Sequence, residues 1–193
     1  MVRILPLLMF FVSLMACTNA DKSPEEAPNV AVDWYAEGEQ VATAAQNHLM
    51  SQVKAALQKG GPDYAIPFCH GNAGPIMDSL SQAYHCTIQR VSDRNRNPDQ
   101  HPQTAAEESL MMDYVNRQIV GDTVISQAGN AVFYRPIVIG LETCLKCHGQ
   151  PGTDIATSTL DKLHELYPED RATGYQMNDV RGLWKITFRE DHQ

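Results

Sequence analysis

This chain has a single close pair of thiols, at Cys144 and Cys147; Cys69 and Cys86 are scattered, and its seven histidines are isolated from one another. A structural zinc site wants four converging ligands, commonly two close pairs, so that shortage weighs against zinc, and the scatter argues against histidine-rich metal storage. Positive charge is also scarce. Fifteen Lys and Arg face 23 Asp and Glu, for a formal net charge of −8, which makes nucleic acid a poor partner. No apolar run reaches the roughly 20 residues needed to cross a bilayer, and no internal repeat suggests a repeat array.

The longest apolar run, Ile4 to Met15, follows a single positive charge at Arg3 and is interrupted only by Pro6 and Ser13. Residues 1–16 therefore read as an export signal. The run ends at Leu14-Met15-Ala16-Cys17, which resembles the lipobox of bacterial lipoproteins and implies a lipid anchor on Cys17. Soluble secretion after a cut nearby is the competing reading. Loss of residues 1–16 removes only Arg3 among charged residues, taking the net charge from −8 to −9. Residues 17–33 are rich in Pro, Asp and Glu with no apolar period, as in a disordered tether. About 160 residues from Trp34 onward remain, enough for one core.

Within that part, Cys144-Leu145-Lys146-Cys147-His148 is the C-x-x-C-H pattern of covalent haem attachment. Each thiol must reach a different vinyl group on one porphyrin edge, while the next side chain swings beneath the ring to offer nitrogen to iron. A redox dithiol or half of a zinc site are the alternatives. A thioredoxin-like motif wants a helix opening at the first Cys, whereas Gly149, Gln150, Pro151 and Gly152 follow at once and break any helix. Haem of this type is attached outside the bacterial cytoplasm, in keeping with the export signal.

Apolar spacing predicts a first helix from about Tyr35 to Leu57, with Val41, Ala45, Leu49 and Val53 on its buried face, stopped by Lys59-Gly60-Gly61-Pro62. His48 beside that face reads as a partly buried, hydrogen-bonded histidine. A second helix from Asp63 has Ile66, Cys69, Ala73, Ile76, Leu80 and Ala83 in one stripe, with a kink expected at Pro75 and His70 turned toward the flank of Met77 and Ser81. On this pattern Cys69 is either a small core thiol or a ligand. A strand at Thr87–Val91 leads to a polar loop, Ser92 to Pro102, whose Arg94 and Arg96 suit the two carboxylates of a haem. A third helix is expected from about Pro102 to Val120. Strands follow at Thr123–Ser126 and Ala131–Ile139 around Ala128-Gly129-Asn130, then a helix at Ile155–Leu166 and a strand at Val180–Phe188. The order points to an α+β fold, an antiparallel sheet with packed helices.

Several segments together resemble a bacterial family of single-haem c-type domains with a PAS-like fold, found as small exported proteins and as extracytoplasmic sensor domains. They are Ala65-Ile66-x-x-Cys69 with Pro75, Arg94-Asn95-x-Asn97-Pro98, Tyr134-Arg135-Pro136-Ile137 and Cys144-Leu145-x-Cys147-His148-Gly149. Leu166-Tyr167-Pro168-x-Asp170-x-Ala172-x-Gly174-Tyr175 and Asp179-x-Arg181-Gly182 complete the set. The resemblance spans roughly Tyr64 to Phe188. It implies one haem c held through Cys144 and Cys147, with His148 as one axial ligand and Cys69 as the other. His70 competes for the iron, and Cys86 offers a second thiol that could pair with Cys69. Their separation along a helix and its exit argues against that disulfide.

The expected function is a membrane-anchored c-type haem protein on the periplasmic side, acting in redox or small-ligand sensing or in electron transfer. Its output would pass to a redox or signalling protein; homodimerisation is left open. A haem-dependent peroxidase is the enzymatic alternative, disfavoured because two occupied axial positions would block substrate. A zinc or thiol protein without haem is the third reading.

Overall fold

The computed structural model describes residues 32–189; the export signal, Cys17 and most of the expected tether lie outside them. The described chain opens with α1, Trp34–Ala83, whose N-cap Asp33 accepts from the amides of Tyr35 and Ala36. This capping satisfies amides that have no partner within the helix. The expected stop is present as a break: Gly60 and Gly61 leave helical φ/ψ, Gly61 at φ 65. A left-handed φ suits glycine, and Pro62 then restarts the helix where no amide bond is lost. Pro75, in contrast, does not interrupt the helical φ/ψ. Gly71, Gly74 and Pro75 are all exposed, so the turn that loses the amide bond at Pro75 lies at the surface.

β1 (Thr87–Val91), β2 (Thr123–Gln127), β3 (Asn130–Val138) and β4 (Val180–Arg189) form one antiparallel sheet in the order β1-β4-β3-β2. The hairpin between β2 and β3 turns on Ala128 and Gly129, both at positive φ, with Gln127 opposite Asn130. Two such residues match the twist of the strands they join. α2, Ala105–Val115, is shorter at both ends than expected. Thr104 caps it by accepting from the Glu107 amide, and Asn116 with left-handed Arg117 closes it well before Gly121.

Strand alternation distributes the core over both sheet faces. Phe133, Trp184, Ile186 and Phe188 pack with Val41, Ala42 and Ala45 of α1 on one face, while Val132, Tyr134 and Leu183 meet Leu110, Met111 and Tyr114 of α2 on the other. Trp184, Ile186 and Phe188 thus share a face, as the alternation predicts. The helix stripe is less regular: Met77 is buried where a flank position was expected, Cys69 is half-buried, and Ala83 is exposed. The break at Gly60 and Gly61 separates the two limbs of α1, and Ala73 and Met77 of the second limb join the same core cluster as Val41, Ala42 and Ala45 of the first. His48 is exposed, contrary to expectation, because the Val41, Ala45, Leu49 face turns it outward. The α+β fold of antiparallel sheet and packed helices is the one expected.

Two short helices complete the chain: α3, Glu142–His148, and α4, Thr157–Leu166. α3 was not anticipated as a helix. It ends at Gly149, as the following Gly and Pro imply. No helix among the described residues is long and apolar enough to cross a membrane.

Candidate functional site

The whole C-x-x-C-H motif lies on α3. Helical spacing of three puts Cys144 and Cys147 on one side of it. Cys147 packs toward a cluster of Ile66, Ile155 and Leu163, and Cys144 toward one of Ile139, Ala172 and Tyr175. Cys69, Cys86, Cys144 and Cys147 are all free thiols and half-buried.

A seven-residue helix leaves most of its carbonyls without partners of its own. The segment from Asp170 to Tyr175, together with Arg96, caps the last of them. Tyr175 N donates to the His148 carbonyl at 2.9 Å and Gly174 N to the Gly149 carbonyl at 2.7 Å. Arg96 Nη2 donates to the Cys147 carbonyl at 2.6 Å and to the Ala172 carbonyl at 3.2 Å, while its Nε meets Asp170 Oδ2 at 3.1 Å. Asp170 in turn accepts from the Ala172 amide at 2.8 Å. Arg96 is thereby a staple between the polar loop, the motif helix and the segment that wraps it.

The same segment sets the ring of His148. Its Nδ1 lies 2.8 Å from the Ala172 carbonyl, which can only accept, so Nδ1 carries the proton and Nε2 is left bare. Arg181 Nε also approaches Nδ1, at 3.4 Å; since that nitrogen is already protonated, the contact is one of proximity and not a hydrogen bond. Burial, then the positive charges of Arg96 and Arg181, hold the imidazole well below its usual pKa and therefore neutral. A neutral imidazole with Nδ1–H tied to a carbonyl is the state in which histidine binds a metal through Nε2.

Cys69, from the second limb of α1, is brought into electrostatic range of Cys147, Arg90 and Arg96. Burial raises its thiol pKa, and the two arginines oppose that rise. His70 points elsewhere: it is exposed, with its ring edge-on to Tyr167 at 5.1 Å. Cys86 belongs to the core cluster around α1 and the sheet, and burial pushes its thiol up to about 11.

Arg94 is held by protein groups. Its guanidinium donates to the Thr173 carbonyl and lies over the Tyr175 ring at 3.9 Å. Arg94 and Arg96 are thus both engaged with protein groups. Two other arginines, missed in the sequence, also act on His148 after Arg96: Arg181 on β4 and, more weakly, Arg90 on β1. Arg90 shares a strand face with buried Ile88, and an arginine at such a position is the signal that strand periodicity carried. Among the described residues, no group of three or more His, Cys, Asp or Glu side chains is placed to hold a metal ion by itself.

The described site fits a haem by the chemistry of its donors: two adjacent half-buried thiols, one imidazole with a bare Nε2, and a third thiol nearby.

Comparison with solved structures finds the cyanobacterial heme-protein Tll0287, at 21% identity and a TM-score of 0.61, covering 81% of this chain and 98% of that one. No curated protein matches. The family model described as Tll0287-like matches residues 25–189, which contain every element of the fold and the whole of the site. This chain belongs to the Tll0287-like family.

Proposed function

We propose that this chain is an exported c-type haem protein, anchored to a bacterial membrane through Cys17 and acting in redox or small-ligand sensing or in electron transfer. The observation that carries the reading is the tie between His148 Nδ1 and the Ala172 carbonyl, which leaves Nε2 bare beside the two thiols of α3. The structural likeness to a cyanobacterial heme-protein supports it as well.

Bound haem would supply a one-electron ferric/ferrous couple. Cys144 and Cys147 would hold it through thioethers, and the Ala172 carbonyl would keep the His148 ring in one orientation and raise its basicity. Cys69 would supply a second protein ligand to the iron. A thiolate there favours the ferric state, so the potential is expected below that of a Met/His cytochrome. Output would pass to a redox or signalling partner.

The test is the mass and the reduced-minus-oxidised absorption spectrum of mature protein made in cells able to attach haem. The expected result is one added haem and c-type bands; protein of unmodified mass ends the proposal. Electron paramagnetic resonance of the ferric form should show a thiolate-type low-spin signal that Cys69→Ala abolishes.

A further inference from the structure

Three arginines, Arg90, Arg96 and Arg181, act on His148, yet they share a single ion pair, Arg96 with Asp170 at 3.1 Å. Both members of that pair are largely buried, with side-chain exposures of 11% and 5%. No ion pair among the described residues involves Arg90 or Arg181. Arg181 donates through Nη1 to Ser92 Oγ at 2.9 Å, a neutral partner, and stands 5.5 Å from the Tyr175 ring. Arg90 is half-buried on β1, on the sheet face that looks toward α1, and interacts with Cys69 and Tyr167. Burying a cation without an anion is costly, so two such groups beside one histidine call for negative charge from outside the chain.

Resting on the haem reading above, we infer that Arg90 and Arg181, and not Arg94 and Arg96, face the two propionate carboxylates of the haem. The geometry separates the two pairs. Arg96 spends its fork on Asp170 and two backbone carbonyls, and Arg94 on the Thr173 carbonyl and the Tyr175 ring. Neither Arg90 nor Arg181 forms an ion pair with a carboxylate among the described residues, Asp170 acting on Arg181 only through its longer-range charge, and a guanidinium fork fits a carboxylate in two places. Two carboxylates on the haem match two unpaired cations. These arginines would also place positive charge next to the iron site, which disfavours the ferric state and opposes the effect of a distal thiolate.

The experiment uses mature holoprotein made in cells able to attach haem, and reads the midpoint potential together with the propionate bending band in resonance Raman spectra. Arg90→Gln and Arg181→Gln should each shift the one-electron equilibrium roughly tenfold toward ferric iron, about 59 mV, and move the band. Arg94→Gln and exposed Arg171→Gln should leave the band in place. Should a glutamine variant fail to fold, Arg90→Lys keeps the charge while losing the fork, and should hold the potential near the parent value while moving the band. Haem-loaded Arg90 and Arg181 variants with unchanged potential and band would overturn the inference and leave the haem reading intact. A parent protein carrying no haem would overturn both.

Discussion

His148 and Ala172 meet across 24 residues of sequence, the Nδ1 of one 2.8 Å from the carbonyl oxygen of the other. The contact is made by a backbone atom, so its strength depends on how firmly the segment around Ala172 is held. Asp170 and Arg96 are the side chains that hold it.

Asp170→Ala should therefore cost about 3 kcal/mol, since it leaves Arg96 buried without a counter-charge and the Ala172 amide without an acceptor. Arg96→Ala should cost a similar amount. Urea unfolding of both single variants and the double variant checks this: the double should lose much less than the two singles added together. Strict additivity would mean the pair is not a unit.

Acid should act through Glu107, whose side chain is 4% exposed. Burial works to raise its pKa, but the Gln103 amide at 2.8 Å, the Lys185 ammonium at 2.7 Å and the Tyr134 hydroxyl at 3.2 Å outweigh it and hold the carboxylate below its ordinary value. The unfolded chain then binds this proton first, at pH values near 4.3. The stability from Glu107 is complete above that pH and is lost as pH falls toward the folded-state value, by at most about 1.4 kcal/mol per pH unit. Glu107→Gln should be less stable at neutral pH and should show a flatter loss between about pH 4.3 and the folded-state value. An unchanged acid limb in thermal melts across pH would rule Glu107 out as its source.

Gly38 lies where α1 crosses β3, and a Cβ there would sit 2.3 Å from Cγ of Phe133. Phe133 is fully buried and has nowhere to retreat. Gly38→Ala gains about 1 kcal/mol of helix propensity and should still be destabilising by about 1–2 kcal/mol net, because overpacking outweighs it. Chemical denaturation midpoints report the sign directly; a stabilised variant would show that the crossing is looser than this.

Ser92 joins the strand end to β4: its hydroxyl donates to the Arg181 carbonyl at 2.8 Å and accepts from the Arg94 amide at 3.1 Å and from Arg181 Nη1 at 2.9 Å. Ser92→Ala should cost about 1–3 kcal/mol by stranding buried polar groups. In the loaded protein it should also shift the midpoint potential in the same direction as Arg181→Gln, because that guanidinium loses its anchor. A stability loss with no change in potential would restrict Ser92 to a structural role.

Cys86→Ala should leave the ferric paramagnetic spectrum unchanged, since Cys86 packs in the cluster of α1 and the sheet and not with the motif helix. Cys69→Ala should change it. A spectrum altered by the Cys86 variant alone would exchange the two assignments.

Much of this molecule follows from local chemistry. The alternation of Trp184, Ile186 and Phe188 sets the face of β4 that meets α1, and Gly60-Gly61-Pro62 breaks the long helix because glycine tolerates φ values that other residues avoid. The three-residue spacing of Cys144 and Cys147 with His148 next to them puts the three groups together on any short helix. Other features depend on partners that no window of sequence displays. Arg94 and Arg96 look like free cations in a polar loop until Thr173, Asp170, Cys147 and Ala172 are folded against them. Arg90 and Arg181 come to the same histidine from different strands, and the proton on His148 is assigned by a carbonyl, a group every residue carries and no residue type announces.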